Sequence, residues 1–357
     1  MNLTYATKER FRSPVIEPQD DDAIAWAQET LRQQSGDDLR LDDVRRVTSR
    51  LAALHQLTAV SSAGVQTFYL KRYPPGEFET RPDRLSHLAA AAAAVDAVPG
   101  LLSFRTVAID LPRGLLLTAA VPGRPLATLH RSAIFSKATR DTASETWRGV
   151  GRWLNRLHRH SVPPVVSGSR AAELLQETRA RLDVWRSQDP ARAHVAESAQ
   201  VGLAVLDGQL ASQPVTIVLC HSDVTAGNIM VHGQSVGLID LDDVHLDMPA
   251  VDLSQAWLAI DEFGHSGLGR ARFSQSRAAA WVAAFEDGYG QMLPRGPEFW
   301  LPHVRNVVMY LLNLSRRRVG VRLARLATEL RYRRLLDELQ ATLSDVQRGR
   351  TSWRQDS

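Results

Sequence analysis

One stretch constrains this chain more than any other: the apolar run Thr216-Ile217-Val218-Leu219-Cys220 feeding His221-Ser222-Asp223, with Asn228 and Asp240 downstream. Thr216 to Cys220 is partly β-branched and reads as a buried strand that delivers His221-Ser222-Asp223 to a loop. Ile229-Met230-Val231, a polar tip His232-Gly233-Gln234-Ser235, and Val236-Gly237-Leu238-Ile239 then read as a hairpin. With the turn centred on Gln234, Ile229 pairs with Ile239 and Asn228 stands opposite Asp240, about 4.5–5.5 Å away. An amide oxygen and a carboxylate placed this way suit Mg²⁺, which keeps several waters and takes one or two protein ligands plus phosphate oxygens. Asp223 lies upstream of both and is free to orient a hydroxyl and accept its proton, the order that phosphoryl transfer requires. Asp and Asn also close ordinary turns. The spacing between two apolar strands is what favours the metal site over a plain turn.

His221-Ser222-Asp223-Val224-Thr225-Ala226-Gly227-Asn228-Ile229-Met230, Leu238-Ile239-Asp240-Leu241-Asp242-Asp243 and Pro249-Ala250-Val251-Asp252-Leu253 together resemble the aminoglycoside phosphotransferase family. The resemblance implies an α+β, two-lobed protein-kinase-like fold with a small β-containing N-lobe and a larger, mainly helical C-lobe. It implies ATP and Mg²⁺ as cofactors. The reaction would move the γ-phosphoryl group to a hydroxyl of a small molecule, such as a sugar, an aminoglycoside-like compound or another metabolite alcohol. Asp223 takes the catalytic role, Asn228 and Asp240 the metal, His221 supports the loop, and Asp252 braces it through backbone hydrogen bonds. Ser222 stands where the family usually has Gly, a departure that matters only if the backbone there needs positive φ.

The same resemblance places the nucleotide. Thr67-Phe68-Tyr69-Leu70-Lys71-Arg72-Tyr73 alternates like a strand, and Lys71 sits where the family's phosphate-binding lysine does. Of 43 basic residues only Lys8, Lys71 and Lys137 are lysines, so a Lys in mid-strand points to a required point charge. A surface Lys snorkelling from an edge strand is the plainer alternative. Ser49, between strands near residues 44–47 and 55–60, is the candidate for the phosphate-covering loop, which contains no glycine. Leu115 to Gly123 resembles the hinge, where the backbone of Ala119 and Val121 would meet adenine. The alanine-rich helix from Arg84 to Val95 carries no Glu to pair with Lys71, leaving Asp83 as the candidate partner, or as that helix's cap.

A length of 357 residues with 44% hydrophobic content supports two domains. They are assigned as residues 1–121 (N-lobe, including the alanine-rich helix), residues 122–345 (C-lobe), and a frayed tail over residues 346–357. An amphipathic helix is expected around Ala23 to Leu31. A helix begun by an Asp141/Thr142 cap buries Trp147, Val150, Leu154 and Leu157, with His158 packed rather than ligating. The single cysteine, Cys220, excludes an intrachain disulfide and reads as a buried small hydrophobe. Neither a signal peptide nor a membrane span is legible, so a cytoplasmic location is expected.

A net charge of +4 and the arginines at 316–318, 322, 325, 331, 333 and 334 suggest a nucleic-acid surface. They lack stacking aromatics and read as a solvated helix face, so no nucleic-acid partner is expected, and at most weak contact with anionic surfaces. Asp261-Glu262 and Glu286-Asp287 are candidates for a cationic acceptor, although the basic balance favours a neutral or anionic one. Two alternatives stand beside the kinase reading. One is a kinase-like nucleotide-binding module with impaired catalysis, suggested by the missing helix Glu and the glycine-free loop. The other is a protein kinase, disfavoured by Leu241-Asp242 after Asp240 in place of Phe-Gly.

Overall fold

The computed structural model describes residues 18–35, 38–47, 53–74, 83–133, 137–210, 213–264, 275–294, 296–315 and 322–348. Ser49 therefore lies outside the described residues. The chain begins α1 (Pro18–Ser35), β1 (Arg40–Val47), β2 (Ala53–Ser61), β3 (Gly64–Arg72), α2 (Arg84–Val95), β4 (Leu101–Leu102), β5 (Arg105–Asp110) and β6 (Leu115–Ala119). It continues β7 (Arg124–Pro125), α3 (Leu126–Ala133), α4 (Lys137–His160), β8 (Val165–Ser167), α5 (Arg170–Ser187), α6 (Ala193–Leu210), β9 (Val215–Cys220), β10 (Ile229–His232), β11 (Ser235–Leu238) and β12 (His245–Asp247). The last helices are α7 (Ala250–Gly264), α8 (Gln275–Tyr289), α9 (Pro297–Ser315) and α10 (Arg322–Gln347).

Two compact units result, residues 1–85 with 104–121, and residues 86–103 with 122–357. The first is an antiparallel sheet of order β1-β2-β3-β6-β5 with α1 on one face. Alternation along the strands decides which side chains meet the helix. Leu57, Ala59, Phe68, Leu70, Leu115 and Leu117 pack with Ala23, Ala27 and Leu31, which recur every four residues along α1. Lys71 alternates with Leu70 and pairs with Leu54 and Leu116, so it belongs to the opposite face of the sheet.

The N-terminus of α1 is pinned by charge. Asp20 is fully buried, with Arg72 Nη2 at 3.0 Å, His55 Nε2 at 3.5 Å and Arg46 Nη1 at 3.9 Å. Burial, the largest influence, holds the His55 pKa below its ordinary value; Asp20 pulls it up, and Arg46 and Arg72 push it further down.

In the second unit, Trp147, Val150, Trp153, Leu154 and Leu157 of α4 are all fully buried. That helix starts at Lys137, ahead of the Asp141/Thr142 cap expected from the sequence, because no breaker interrupts residues 137–142 and Thr142 O accepts from Thr146 Oγ1 at 2.8 Å inside the helix. The assignment of the alanine-rich helix to the first domain also needs correction, since residues 86–103 group with the second unit. Ala94 O accepts from Arg156 Nε at 3.0 Å, Leu102 O from Trp153 Nε1 at 3.3 Å, and β4 pairs in parallel with β11. At the other end, α10 extends through Gln347, because Val346 continues the buried spacing of Leu335, Leu339 and Leu343. None of the described helices is long and apolar enough to cross a membrane.

Helices α4 and α8 approach so closely that backbone touches backbone. A methyl group on Gly288 would run into the Arg148 carbonyl, and one on Gly151 into the Phe285 carbonyl. Gly288→Ala should therefore cost about 2–3 kcal/mol, the upper part of the range for overpacking, measured by urea denaturation. The His55 environment makes a second prediction. The unfolded chain takes up its proton near about pH 6.5 while the folded chain resists to lower pH, so acidification from pH 7 to 5 favours unfolding. In His55→Gln that part of the acid sensitivity should vanish, seen as a flatter dependence of the denaturation midpoint on pH.

Candidate active site

Strand β9 is apolar and buried at Val218, Leu219 and Cys220, and it delivers His221 to the mouth of the loop where its apolar run ends, as a strand buried on both faces must. The loop that follows is held from beneath. Asp252, fully buried on α7, accepts from the His221 backbone N–H at 2.7 Å and from the Ser222 backbone N–H at 2.7 Å. Its Oδ2 also meets His158 Nε2 at 3.0 Å, and His158 Nδ1 meets the Tyr289 hydroxyl at 2.8 Å. Burial works to raise the Asp252 pKa, but the His158 hydrogen bond and charge, with His221 and the Ser222 N–H, hold it below the usual carboxylate range.

Gln255 lies one turn further along α7 and closes the other side. Its Oε1 accepts from Val224 N at 2.8 Å and its Nε2 donates to Ser222 O at 2.7 Å. Ser222 is thereby held at φ 69°, in the left-handed region that favours glycine. The Ser for Gly departure thus falls where backbone strain is real, and Asp252 and Gln255 over-determine the strained conformation. His221 is buried beside Trp153, with ring centroids 6.0 Å apart. Its Nδ1 accepts from Asp223 N at 3.3 Å and its Nε2 donates to Ile239 O at 3.1 Å, tying the loop to the hairpin. Cys220 is fully buried, and its thiol pKa is pushed well up, first by burial and then by Asp252 and Asp247.

The hairpin register differs from the expectation by one residue. Ile229 pairs with Leu238 and His232 with Ser235, leaving a two-residue turn of Gly233-Gln234. Gly233 takes φ 59°, the positive value that the first central position of a tight hairpin turn demands. Asn228 therefore lies across from Ile239, whose N–H donates to Asn228 O at 2.9 Å, and Asp240 comes one residue later. Asp240, two residues past the end of β11, is itself left-handed at φ 65°, ψ 54°, and turns the chain into the short helix Leu241–Asp243.

Asp223 and Asn228 are brought together directly. Asn228 Nδ2 donates to Asp223 Oδ2 at 2.7 Å and to Asp223 O at 3.0 Å. With Nδ2 committed, the amide oxygen of Asn228 is the atom left to face an ion. Burial, the largest influence, raises the Asp223 pKa; His221 and the Asn228 bond lower it, and Asp240 and Asp243 raise it further. Asp240 is thus within electrostatic reach of Asp223. Lys71, Ala119 and Val121 belong to the first unit; Ala119 ends β6, and the next residue's N–H is taken by Thr67 O at 2.9 Å. Asp83 immediately precedes α2.

Gln255, Tyr289 and His245 escaped the sequence reading. A buried Gln spaced three residues from Asp252 on an otherwise apolar helix face was the legible signal for Gln255. Three of the four carboxylates considered for a cationic acceptor meet protein groups. Asp287 Oδ2 meets Arg148 Nε at 2.6 Å, Asp261 Oδ2 meets Arg334 Nη2 at 3.4 Å, and Glu286 Oε1 accepts from Leu293 N at 2.9 Å; the Glu262 side chain lies outside the described residues.

Strain at Ser222 is testable by paired variants that both lose the hydroxyl. Ser222→Gly should be more stable than Ser222→Ala by about 1–2 kcal/mol, the left-handed cost for a residue with Cβ. Denaturant midpoints with equal slopes would measure it; the usual order, Ala above Gly, would contradict it.

Comparison with known proteins follows this geometry. Among solved structures, the chain is similar to a choline/ethanolamine kinase family protein from Mesorhizobium loti, at 16% identity over 92% of this chain and 100% of that one, TM-score 0.53. It is also similar to amicoumacin kinase hAmiN in complex with AMP-PNP, Ca²⁺ and Ami, at 14% identity over 91% and 96% of the two chains, TM-score 0.55. Choline kinase from Cryptosporidium parvum gives 9% identity over 92% and 96%, TM-score 0.55. At these identities the likeness shows the fold, which is mixed α+β and protein-kinase-like. No protein of curated function matches the sequence. The model of the phosphotransferase enzyme family matches residues 52–303, a span that includes Lys71, the 221–223 loop, Asn228, Asp240 and Asp252, and the chain belongs to that family.

Proposed function

We propose that this protein transfers the γ-phosphoryl group of ATP to a hydroxyl of a small molecule. The observation that carries the reading is the Asp223–Asn228 pair, an amide whose N–H₂ is spent on the half-buried Asp223 and whose oxygen is left over. Asn228 and Asp240 would hold Mg²⁺. Their oxygen donors are the kind that ion takes, and the crowding of Asp223, Asp240 and Asp243 is of the kind a cation relieves. When bound, the ion supplies neutralisation of the phosphate oxygens.

The chain's own groups do the rest. Asp223 accepts the hydroxyl proton as the acceptor oxygen bonds to the γ-phosphorus and the bond to the β-phosphate oxygen breaks. Asp252 and Gln255 fix the backbone on either side of Asp223, so the carboxylate is positioned before substrate arrives. Lys71 neutralises nucleotide phosphate, and the backbone of Ala119 and Val121 receives adenine. The AMP-PNP held by the amicoumacin kinase structure supports nucleotide use. A cytoplasmic setting, where ATP is available, fits this chemistry.

Asp223→Ala should lower turnover about 10²–10⁴-fold, the usual worth of a general base, with nucleotide affinity changed less than about threefold. Asp240→Ala should instead weaken Mg²⁺-dependent nucleotide binding. Coupled-assay kinetics and calorimetric nucleotide titration separate the two; wild-type turnover by Asp223→Ala sinks the assignment. Nucleotide binding with no transfer to any acceptor would favour the impaired module, and label found in polypeptide the protein kinase.

A further inference from the structure

A second charge cluster adjoins the loop and has no part in the chemistry above. Ser222 Oγ lies 3.2 Å from His245 Nδ1, which also meets Asp243 O at 2.6 Å, and His245 Nε2 lies 3.2 Å from Asp247 Oδ2. Asp247 is fully buried and takes a two-pronged contact from Arg170, Nε to Oδ1 at 2.8 Å and Nη2 to Oδ2 at 2.7 Å. Arg170 Nη1 reaches Glu173 at 3.3 Å and Glu177 at 3.1 Å, and Glu177 also meets Arg181 at 3.6 Å. Each of these cations has a carboxylate.

Arg305 on α9 has no carboxylate at ion-pair distance among the described residues. It is 7% exposed, its Nη1 donates to Asn306 Oδ1 at 3.0 Å, and its Nε has no hydrogen-bond partner among the described residues. Asn306 gives no charge, and its own N–H₂ is committed to Val251 O and Ser254 Oγ. Arg305 is within electrostatic reach of His245, Asp247, Glu177, Arg170 and Arg181. Locally Arg170 and Arg181 pair with Asp247, Glu173 and Glu177, and His245 meets Asp247, while Arg305 makes no ion pair among the described residues. A guanidinium cannot relieve burial by losing its proton, and Asp247 and Glu177, which act on Arg305 without pairing with it, are already held by Arg170 and Arg181, so the site favours a further anion.

We infer that the acceptor is an anionic alcohol, whose carboxylate or phosphate docks at Arg305 beside His245 while its hydroxyl reaches Asp223. The inference rests on the phosphotransferase reading for the role of Asp223. Its support is independent of that role: Arg305 makes no ion pair among the described residues, and of the carboxylates that would hold a cationic acceptor Asp287, Asp261 and Glu286 already meet Arg148, Arg334 and Leu293 N. Guanidinium suits planar or tetrahedral oxyanions because its donors form a fixed fork.

The test uses charge-matched acceptor triplets, each a hydroxy acid or its phosphate counterpart, the neutral alcohol and the amine of the same skeleton, assayed for phosphoryl transfer from ATP. The acids should exceed their partners at least tenfold in kcat/KM. Arg305→Gln should raise KM for the acid tenfold or more with kcat changed less than threefold, and Arg305→Lys should fall between. A preference for alcohol or amine, or an unaltered KM in Arg305→Gln, overturns the inference, and the acid against phosphate comparison identifies the oxyanion. A parallel measurement does not need turnover: sodium sulfate against sodium chloride at equal ionic strength should raise the melting temperature of the wild type more than that of Arg305→Gln, the rise common to both being the general salting effect of sulfate. If no triplet member is phosphorylated, the phosphotransferase reading fails by itself, and the sulfate result still decides the anion site. An equal sulfate shift in both proteins, or none in the wild type, overturns it. Should Arg305→Gln not fold by circular dichroism, Arg305→Lys and His245→Gln carry the same comparisons.

Discussion

A buried carboxylate that ties down two successive backbone N–H groups is the constraint on which the site depends. Asp252 has no exposure, so it must find its partners in the protein, and it finds them in His221, Ser222 and His158. A backbone fixed at consecutive amides leaves its next residue little freedom. Asp223 inherits its position from α7 rather than from its own loop, and the left-handed Ser222 is the conformational cost of that arrangement.

The helices supply rigidity at one remove. His158 comes from α4 and Tyr289 from α8, and those helices meet where Gly151 and Gly288 permit backbone contact. The Tyr289–His158–Asp252 chain therefore runs across an interface that has almost no slack, and each group in it is a buried polar group that the next one satisfies. Burial raises the Tyr289 hydroxyl pKa above its ordinary value, so it remains a neutral donor at one end.

Much of this was legible because short-range patterns carried it. The apolar run before His221 marks β9, the spacing from Trp147 to Leu157 marks α4, and the Asp, Asn and Asp of the loop and hairpin were singled out from residue type and spacing. The register was not legible, since the polar tip His232 to Ser235 accommodates a two- or a three-residue turn, and only the positive φ of Gly233 decides between them. Nor was the tie between Arg156 and Ala94, which moves the alanine-rich helix into the second unit across 62 residues of sequence. Arg305 was invisible for a different reason. In an arginine-rich chain one more arginine carries no signal, and its meaning comes from which neighbours have already been paired.

Cys220 lends the molecule a property unrelated to its chemistry. It is the sole thiol in 357 residues, fully enclosed on the strand that ends at His221, and its burial and neighbouring carboxylates disfavour the thiolate. A thiol reagent can label it only when the strand beneath the loop opens. Labelling rate thus works as an intrinsic clock for that opening, with no dye or tag engineered into the protein.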